Sequence, residues 1–489
     1  MYKQRCAKPK VGKYILDTIS IGMYNDPLMV IREYVQNSTD SIDEFQGNNG
    51  FYNEQPKIEI FIDGIARSLL IKDNGAGVPA KIASSVLHNL GKSLKKATLN
   101  RGFRGIGRLG GLGYCDELKF ITKAKGESIC SISKWNCKKL RSFISQDNKS
   151  LDAAALIKEV VEFSQDKYQK NPKDHFFVVE MNSVKSSKDI LLDVPMIKSY
   201  LSQAAPVPFD FNKFSFAEII DKELRSKVPF YETYRIFVNE EQIFKPYKDK
   251  IRISQENVDR IRQIEFKGFQ NGTSLLAFGW IADLQLLGVI TPSERVDGIR
   301  LRSGNILIGD KNILSDFFRE NRFNNYVIGE IHVIDHKLIL NSRRDGFEDS
   351  NYKEEFYNSF VKEIGIPLSL KIREASKSRG ESRKTDKLRR LIQECKDIAK
   401  NGYLSVLHYR NVLREIKYLC NNLDNNYELQ NIDKLLTEIN QASHCLDKIS
   451  SVHIRRQELK KIFDMIYKNC SNKIEGLEII KKTMSYLGK

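Results

Sequence analysis

Between Gly102 and Gly113 the chain spends six of twelve positions on glycine, in the run RGFRGIGRLGGLG that begins at Arg101. Glycine loses more backbone freedom on folding than any other residue, so this density is costly unless the bare main chain is put to use. Its usual benefit is a row of free N–H groups that can surround phosphate oxygens, often at a helix N-terminus. Gly105, Gly107 and Gly110 also spell G-x-G-x-x-G. A Rossmann dinucleotide site needs an apolar strand running straight into that motif, and the residues before it are LGKSLKKATLNR, so that reading is excluded. No G-x-x-x-x-G-K-[ST] phosphate loop occurs either.

Upstream, residues 14–46 carry Ile31, Val35 and Ile42 at helical spacing, and Glu33, Asn37 and Asp40 fall at steps of four and three. Such steps stack side chains on one helix face. A glutamate there could orient and deprotonate a water, and the asparagine oxygen is a hard ligand suited to Mg²⁺, which leaves other positions to phosphate oxygens. KIEIFI (57–62) and RSLLIKD (67–73) predict two strands joined at Asp63-Gly64 into a hairpin. Asp73 ends the second strand and opens the run Asp73-Asn74-Gly75-Ala76-Gly77. A carboxylate so placed can accept a hydrogen bond from an exocyclic amine such as adenine N6, and the glycines let a ligand approach. Taken singly, these elements read equally as a solvated helix face and a turn.

Further strand-like runs at LKFIT, SICSIS and HFFVVEM complete an α+β domain assigned to residues 1–204. Alternating β-rich and short helical runs predict a second α/β domain at 205–365. From 366 to 489 the sequence is helical in pattern after a polar connector, SKSRGESRKTDK. Leu388, Leu391, Cys395 and Ile398, and then Ile432, Leu436, Ile439, Ala442, Leu446 and Ile449, repeat at three-to-four spacing for three heptads or fewer, which predicts a helical bundle or short coiled-coil hairpin.

A chain of 489 residues that is 41% hydrophobic and 29% charged is neither disordered nor fibrous. No apolar run is long enough to span a membrane and the start, MYKQRCAKPKVGKY, lacks an apolar leader, so a cytoplasmic protein without a membrane partner is expected. The eight cysteines form no C-x-x-C pair and read as buried free thiols, and His332 and His336 lack a third ligand for a metal. Of the net charge of +17, residues 371–489 supply +10, from 25 Lys+Arg against 15 Asp+Glu. That bias marks either a solvated helical surface or an acidic partner such as DNA.

The order and spacing of the three elements are far more specific than any one. ILDTISIGMYNDPLMVIREYVQNSTDSID, DNGAGV and GFRGIGRLGG together resemble the GHKL ATPase superfamily of gyrase, Hsp90, histidine kinases and MutL, nearest to the Hsp90-like branch. The resemblance implies a Bergerat-type ATP-binding α/β sandwich. It makes Glu33 the general base, Asn37 the Mg²⁺ ligand with Asp40 beside it at the cofactor site, and Asp73 the partner of the adenine amino group. Gly75 and Gly77 would shape the adenine pocket, and Gly102, Phe103, Arg104, Gly105, Ile106 and Gly107 would form the phosphate loop. Lys92 would stand where the ATP lid begins. LILNSRRDGF (338–347) resembles a segment of Hsp90 middle domains, which places Asn341 and Arg344 at the γ-phosphate in a transducer-like second domain.

What the resemblance implies is an ATP- and Mg²⁺-dependent conformational switch, homodimeric, acting on a protein client in a chaperone-like or antiviral-defence role. A DNA-engaging clamp of the MORC or MutL kind is the alternative, and a nucleotide-sensing scaffold without turnover a second. The family's Gly-Thr pair near the last strand is missing around DHFFVVEMNS, and residues 137–174 read as an insertion.

Overall fold

Burial alternates along β1 (Lys57–Asp63) and β2 (Ser68–Asp73): Ile58, Ile60, Ile62, Leu69, Ile71 and Asp73 are buried, while the residues between them are half-buried or exposed. This period of two is what a sheet covered by helices on one face imposes. The computed structural model describes residues 11–18, 22, 26–49, 55–89, 107–145, 152–272, 274–341, 343–401, 406–421, 437, 450–469 and 473–487. It divides into two compact units, Met1–Ile372 and Arg373–Lys489.

In the first unit the expected hairpin is present, with Asp63 paired to Ser68 and Ile58 to Asp73. It lies within an eight-stranded sheet that also contains β3 (Glu117–Lys123), β4 (Ile129–Asn136), β5 (Val161–Lys167), β6 (Phe176–Asn182), β7 (Arg235–Val238) and β8 (Glu241–Gln242), in the order β5-β4-β3-β6-β2-β1-β7-β8. Only β1 and β7 pair in parallel. Helices α2 (Leu28–Asn49), α5 (Ala153–Val160) and α6 (Val194–Ala204) supply Val30, Ile31, Val35, Ile42, Leu156, Ile197 and Leu201 to the core beneath the sheet.

Three details depart from the sequence reading. Residues 14–46 do not form one helix: α1 covers Tyr14–Asp17, and α2 starts afresh at Leu28, whose N–H is capped by Asp26 Oδ1 at 3.0 Å. Pro27 lacks the amide a continuous helix would need, but is well placed beside a helix start. Residues 137–174 are no appendage, since α4 (Cys137–Ser145), α5 and β5 lie there and β5 pairs with β4 from Ile129↔Lys167 to Trp135↔Val161. The sheet also reaches beyond residue 204, because β7 pairs with β1 and β8 with β7.

A second sheet in the same unit contains β11 (Gln263–Asn271), β12 (Ser274–Asp283), β13 (Gly298–Ser303), β14 (Ile306–Leu307) and β15 (Ile328–Val333), in the order β11-β12-β15-β13-β14, with β9 (Lys250–Arg252) and β10 (Val258–Arg260) paired apart from it. Its central strands are buried on both faces. Phe356 and Phe360 of α8 (Asn351–Phe360) pack with Phe269 and Ile331 on one side, and Phe209, Phe214 and Tyr247 with Trp280 on the other. At its centre Glu330, fully buried, accepts from Lys245 Nζ at 2.8 Å and Arg302 Nε at 2.7 Å, and Arg302 Nη2 donates to Gln203 O of α6 at 2.7 Å. This buried cluster joins the second sheet to the helical layer of the first.

Helix α9 (Ile366–Asn401) runs through SKSRGESRKTDK, so the expected connector is helical; it contains no proline, and Arg, Lys and Glu are good helix formers. In the second unit α9 and α10 (Val406–Asn421) run antiparallel, with Lys387 bonded to Glu415 and His408 Nε2 3.1 Å from Glu394 Oε1. Two further helices, Ser450–Asn469 and Lys473–Leu487, follow. The second repeat, 432–449, lies almost wholly outside the described residues.

Candidate active site

Helix α2 is buried along most of its length, and its sequence sorts the functional residues by angle. Glu33 and Asp40 are buried at 7% and 2% exposure, whereas Asn37 between them is half-buried. An amide reaching accessible surface between two shielded carboxylates is placed to meet a ligand. Glu33 Oε1 lies 3.7 Å from Arg32 Nη2 and 3.7 Å from Arg344 Nε. Both separations give Coulomb attraction but exceed hydrogen-bond length, so neither guanidinium takes up an acceptor site on that oxygen.

Arg344 reaches Glu33 from the loop between Leu340 and Phe347, which pair with each other as an isolated bridge. Its backbone is left-handed, φ 56°, and is held by Gly309 N donating to Arg344 O at 2.9 Å and Arg344 N donating to Asn341 O at 3.1 Å. A non-glycine residue in that region is strained and persists only where its surroundings enforce it. Arg32 Nη2 donates to Arg343 O at 3.1 Å, which fixes the loop to α2. Asn341 is engaged within the same loop. Its amide donates to Asp345 Oδ1 at 2.6 Å and accepts from Asp345 N at 3.2 Å, so it braces the loop from within.

Asp73 is 2% exposed at the end of β2, and its Oδ1 accepts from Gly75 N at 2.9 Å. The two glycines after it serve packing first. A Cβ on Gly75 would lie 2.3 Å from Ser41 Oγ and 2.6 Å from Ser41 C; on Gly77, with φ +64°, it would lie 2.1 Å from Lys123 O. Ala76 N donates to Ser41 O at 2.9 Å. The absence of side chains thus lets the strand end press against α2 and brings Asp73 to the helix that carries Asn37.

Of the phosphate-loop residues, Gly107 opens a 3-10 turn, Gly107–Gly113, while Lys92, Gly102, Phe103, Arg104, Gly105 and Ile106 lie outside the described residues. Tyr34 fastens this turn to α2: its hydroxyl donates to Arg108 O at 3.0 Å and accepts from Gly111 N at 2.9 Å. A Cβ on Gly111 would meet that hydroxyl at 2.3 Å. The glycine run therefore does pass close to another surface, and that surface is α2.

Sequence reasoning missed several neighbours. Arg108 donates to Asn89 O at 2.5 Å, and burial pulls its guanidinium down to about 10. Burial, and then the charge of Arg108, lower the His88 pKa, and its ring lies 2.9 Å from Ser133 Oγ. Tyr200 of α6 feels the charges of Arg32, Asp26 and Glu33, and burial above all raises its hydroxyl to about 12. Thr122 Oγ1 accepts from Val78 N at 2.8 Å, so a β3 hydroxyl stands at the loop after Asp73 where the sequence lacks a Gly-Thr pair. Cys115, Cys130 and Cys137 are buried free thiols, as expected. Among the described residues no group of three acidic, histidine or cysteine side chains could hold a metal, and no helix is long and apolar enough to cross a membrane.

A carboxylate and an amide on α2, a buried carboxylate at a strand end packed on that helix and a glycine turn docked on it thus share one element. Residues 25–167 match the family model for histidine kinase-, DNA gyrase B-, and HSP90-like ATPases. The match supports a GHKL-type ATPase domain over this span. The matched span opens just before the Asp26 cap of α2 and closes with β5, so it includes Glu33, Asn37, Asp40, Asp73, the glycine run and residues 137–167. Arg344 lies outside it. A comparison with curated proteins gave no match.

Proposed function

We propose that the chain hydrolyses ATP at this site, with Glu33 as general base and Arg344 as the cation at the γ-phosphate. The observation that carries the reading is the position of Glu33, shielded in the GHKL-type domain and facing a guanidinium from outside it at 3.7 Å. Asp73 accepts from the adenine amino group and the glycine turn lines the phosphates. Glu33 takes a proton from a water whose oxygen attacks the γ-phosphorus, and the bond to the ADP oxygen breaks. Arg344 stabilises the charge that spreads over the phosphoryl oxygens. Asn37 fits Mg²⁺, since one amide oxygen plus phosphate oxygens suits an ion that needs few protein ligands, and bound there Mg²⁺ would offset phosphate charge.

The reading extends to an Hsp90-like switch. Arg344 belongs to the second sheet's domain, so nucleotide state at the γ-phosphate is felt there, and α9 onward supplies a helical segment for dimerisation or partner binding. A chaperone-like or defence role on protein partners follows from this. The basic residues 371–489 favour a second reading, a DNA-engaging clamp. Steady-state ATP hydrolysis by the wild type and Glu33→Ala, with and without Mg²⁺ and DNA, tests both. Mg²⁺-dependent turnover lost in the variant with ATP still bound supports the site, and no turnover in the wild type overturns it. DNA stimulation, with binding that weakens steeply in salt, selects the clamp.

A further inference from the structure

Gln36 is 1% exposed, yet among the described residues neither its Oε1 nor its Nε2 has a hydrogen-bond partner. Its backbone is engaged, since Thr39 Oγ1 donates to Gln36 O at 2.8 Å. An amide buried without partners loses its hydration and gains nothing in return, so side chains in this position are normally apolar or satisfied by water or ligand. Gln36 is also about one turn from three of its neighbours on α2, three residues after Glu33, four after Arg32 and four before Asp40, hence on the same side of the helix. Arg32 repeats the pattern. It is 2% exposed, and its Nε has no partner although its Nη2 binds Arg343 O. Two buried side chains a turn apart thus leave three polar atoms without partners among the described residues, on the side of α2 that carries Glu33.

We propose that Gln36 is a positioning residue for ATP hydrolysis, its amide holding an ordered water in hydrogen-bonded line with the Glu33 carboxylate. The inference rests on the ATPase reading above. An amide is suited to the task because it both donates and accepts without changing charge, so it can orient a water while Glu33 takes the proton. Arg32 Nε supplies a further donor on the same side of α2.

The test compares wild type, Gln36→Leu and Gln36→Asn in steady-state ATP hydrolysis, with nucleotide affinity and thermal midpoint measured alongside. Leucine has similar bulk and leaves no unsatisfied amide, so Gln36→Leu should keep or raise the midpoint, hold ATP affinity within about twofold, and lower kcat by about tenfold or more. Gln36→Asn, which keeps the amide, should recover part of kcat. Unchanged kcat in Gln36→Leu, or kcat falling only in step with the thermal midpoint, overturns the proposal while the ATPase reading stands. A wild type without turnover overturns both.

Discussion

Arg344 Nε stands 3.7 Å from Glu33 Oε1 although the two residues lie far apart in sequence, and the carbonyl of the preceding Arg343 accepts from Arg32, the neighbour of Glu33, at 3.1 Å. The 340–347 loop is therefore held to α2 by main chain as well as by charge. Truncating the guanidinium leaves the main-chain bond in place. Arg344→Ala should lower kcat by about 100-fold while changing ATP affinity little, since a donor aimed at developing charge acts mainly on the transition state. A wild-type rate would remove the 340–347 loop from the chemistry.

Asp73→Asn separates fold from recognition. Asparagine Oδ1 can still accept from Gly75 N, so the thermal midpoint should hardly move. The lost charge and the altered donor pattern should weaken ATP binding by about tenfold, or about 1.4 kcal/mol. Titration calorimetry gives the answer, and unchanged affinity would count against the pocket assignment.

A Cβ on Gly75 would meet Ser41 Oγ and also the backbone atoms Ser41 C and Ile42 N of α2, which cannot step aside as a side chain can. Gly75→Ala should cost about 2 kcal/mol or more in urea unfolding, a typical penalty for overpacking. Gly77→Ala should cost at least as much, because it adds a positive φ to its clash. Unaltered stability in either would mean that the strand end does not press on α2 and β3 as described.

His332 carries a pH dependence. Its Nε2 lies 3.3 Å from Glu330 Oε2, its Nδ1 has no partner, and burial, opposed by Glu330, lowers its pKa from 6.5 to about 4. Between pH 6.5 and 4 the unfolded chain then binds a proton that the folded chain refuses, so stability falls as pH falls through that window. The loss attributable to this residue is about 3 kcal/mol. Unfolding curves of the wild type and His332→Gln at pH 7 and pH 4.5 should show the smaller decline in the variant; parallel declines would refute the assignment.

Local patterns carried much of this molecule. Alternation in KIEIFI and RSLLIKD specified the hairpin, and the 33-37-40 spacing specified a helix face, because both depend only on the repeat of the backbone. The strand at Val161–Lys167 was less legible, since an edge strand with one exposed face has little apolar signal; YRIFVN reads as β-rich, but its place beside β1 is set only by the tertiary fold. The connector SKSRGESRKTDK misled for the converse reason, since a polar helix and a polar linker differ little in composition.

By itself, the sequence determined which chemistry is available: a carboxylate and an amide a turn apart, a carboxylate after an apolar strand, and a glycine run. Those are matters of residue type and short spacing. Tertiary structure alone decided that Gly75 and Gly77 act as packing surfaces, that Tyr34 clamps the glycine turn, that Arg344 faces Glu33, and that Gln36 is buried. Each of these is a contact between residues distant in sequence or a burial state. No local pattern encodes them, because they arise only when the two sheets and α2 close on one another.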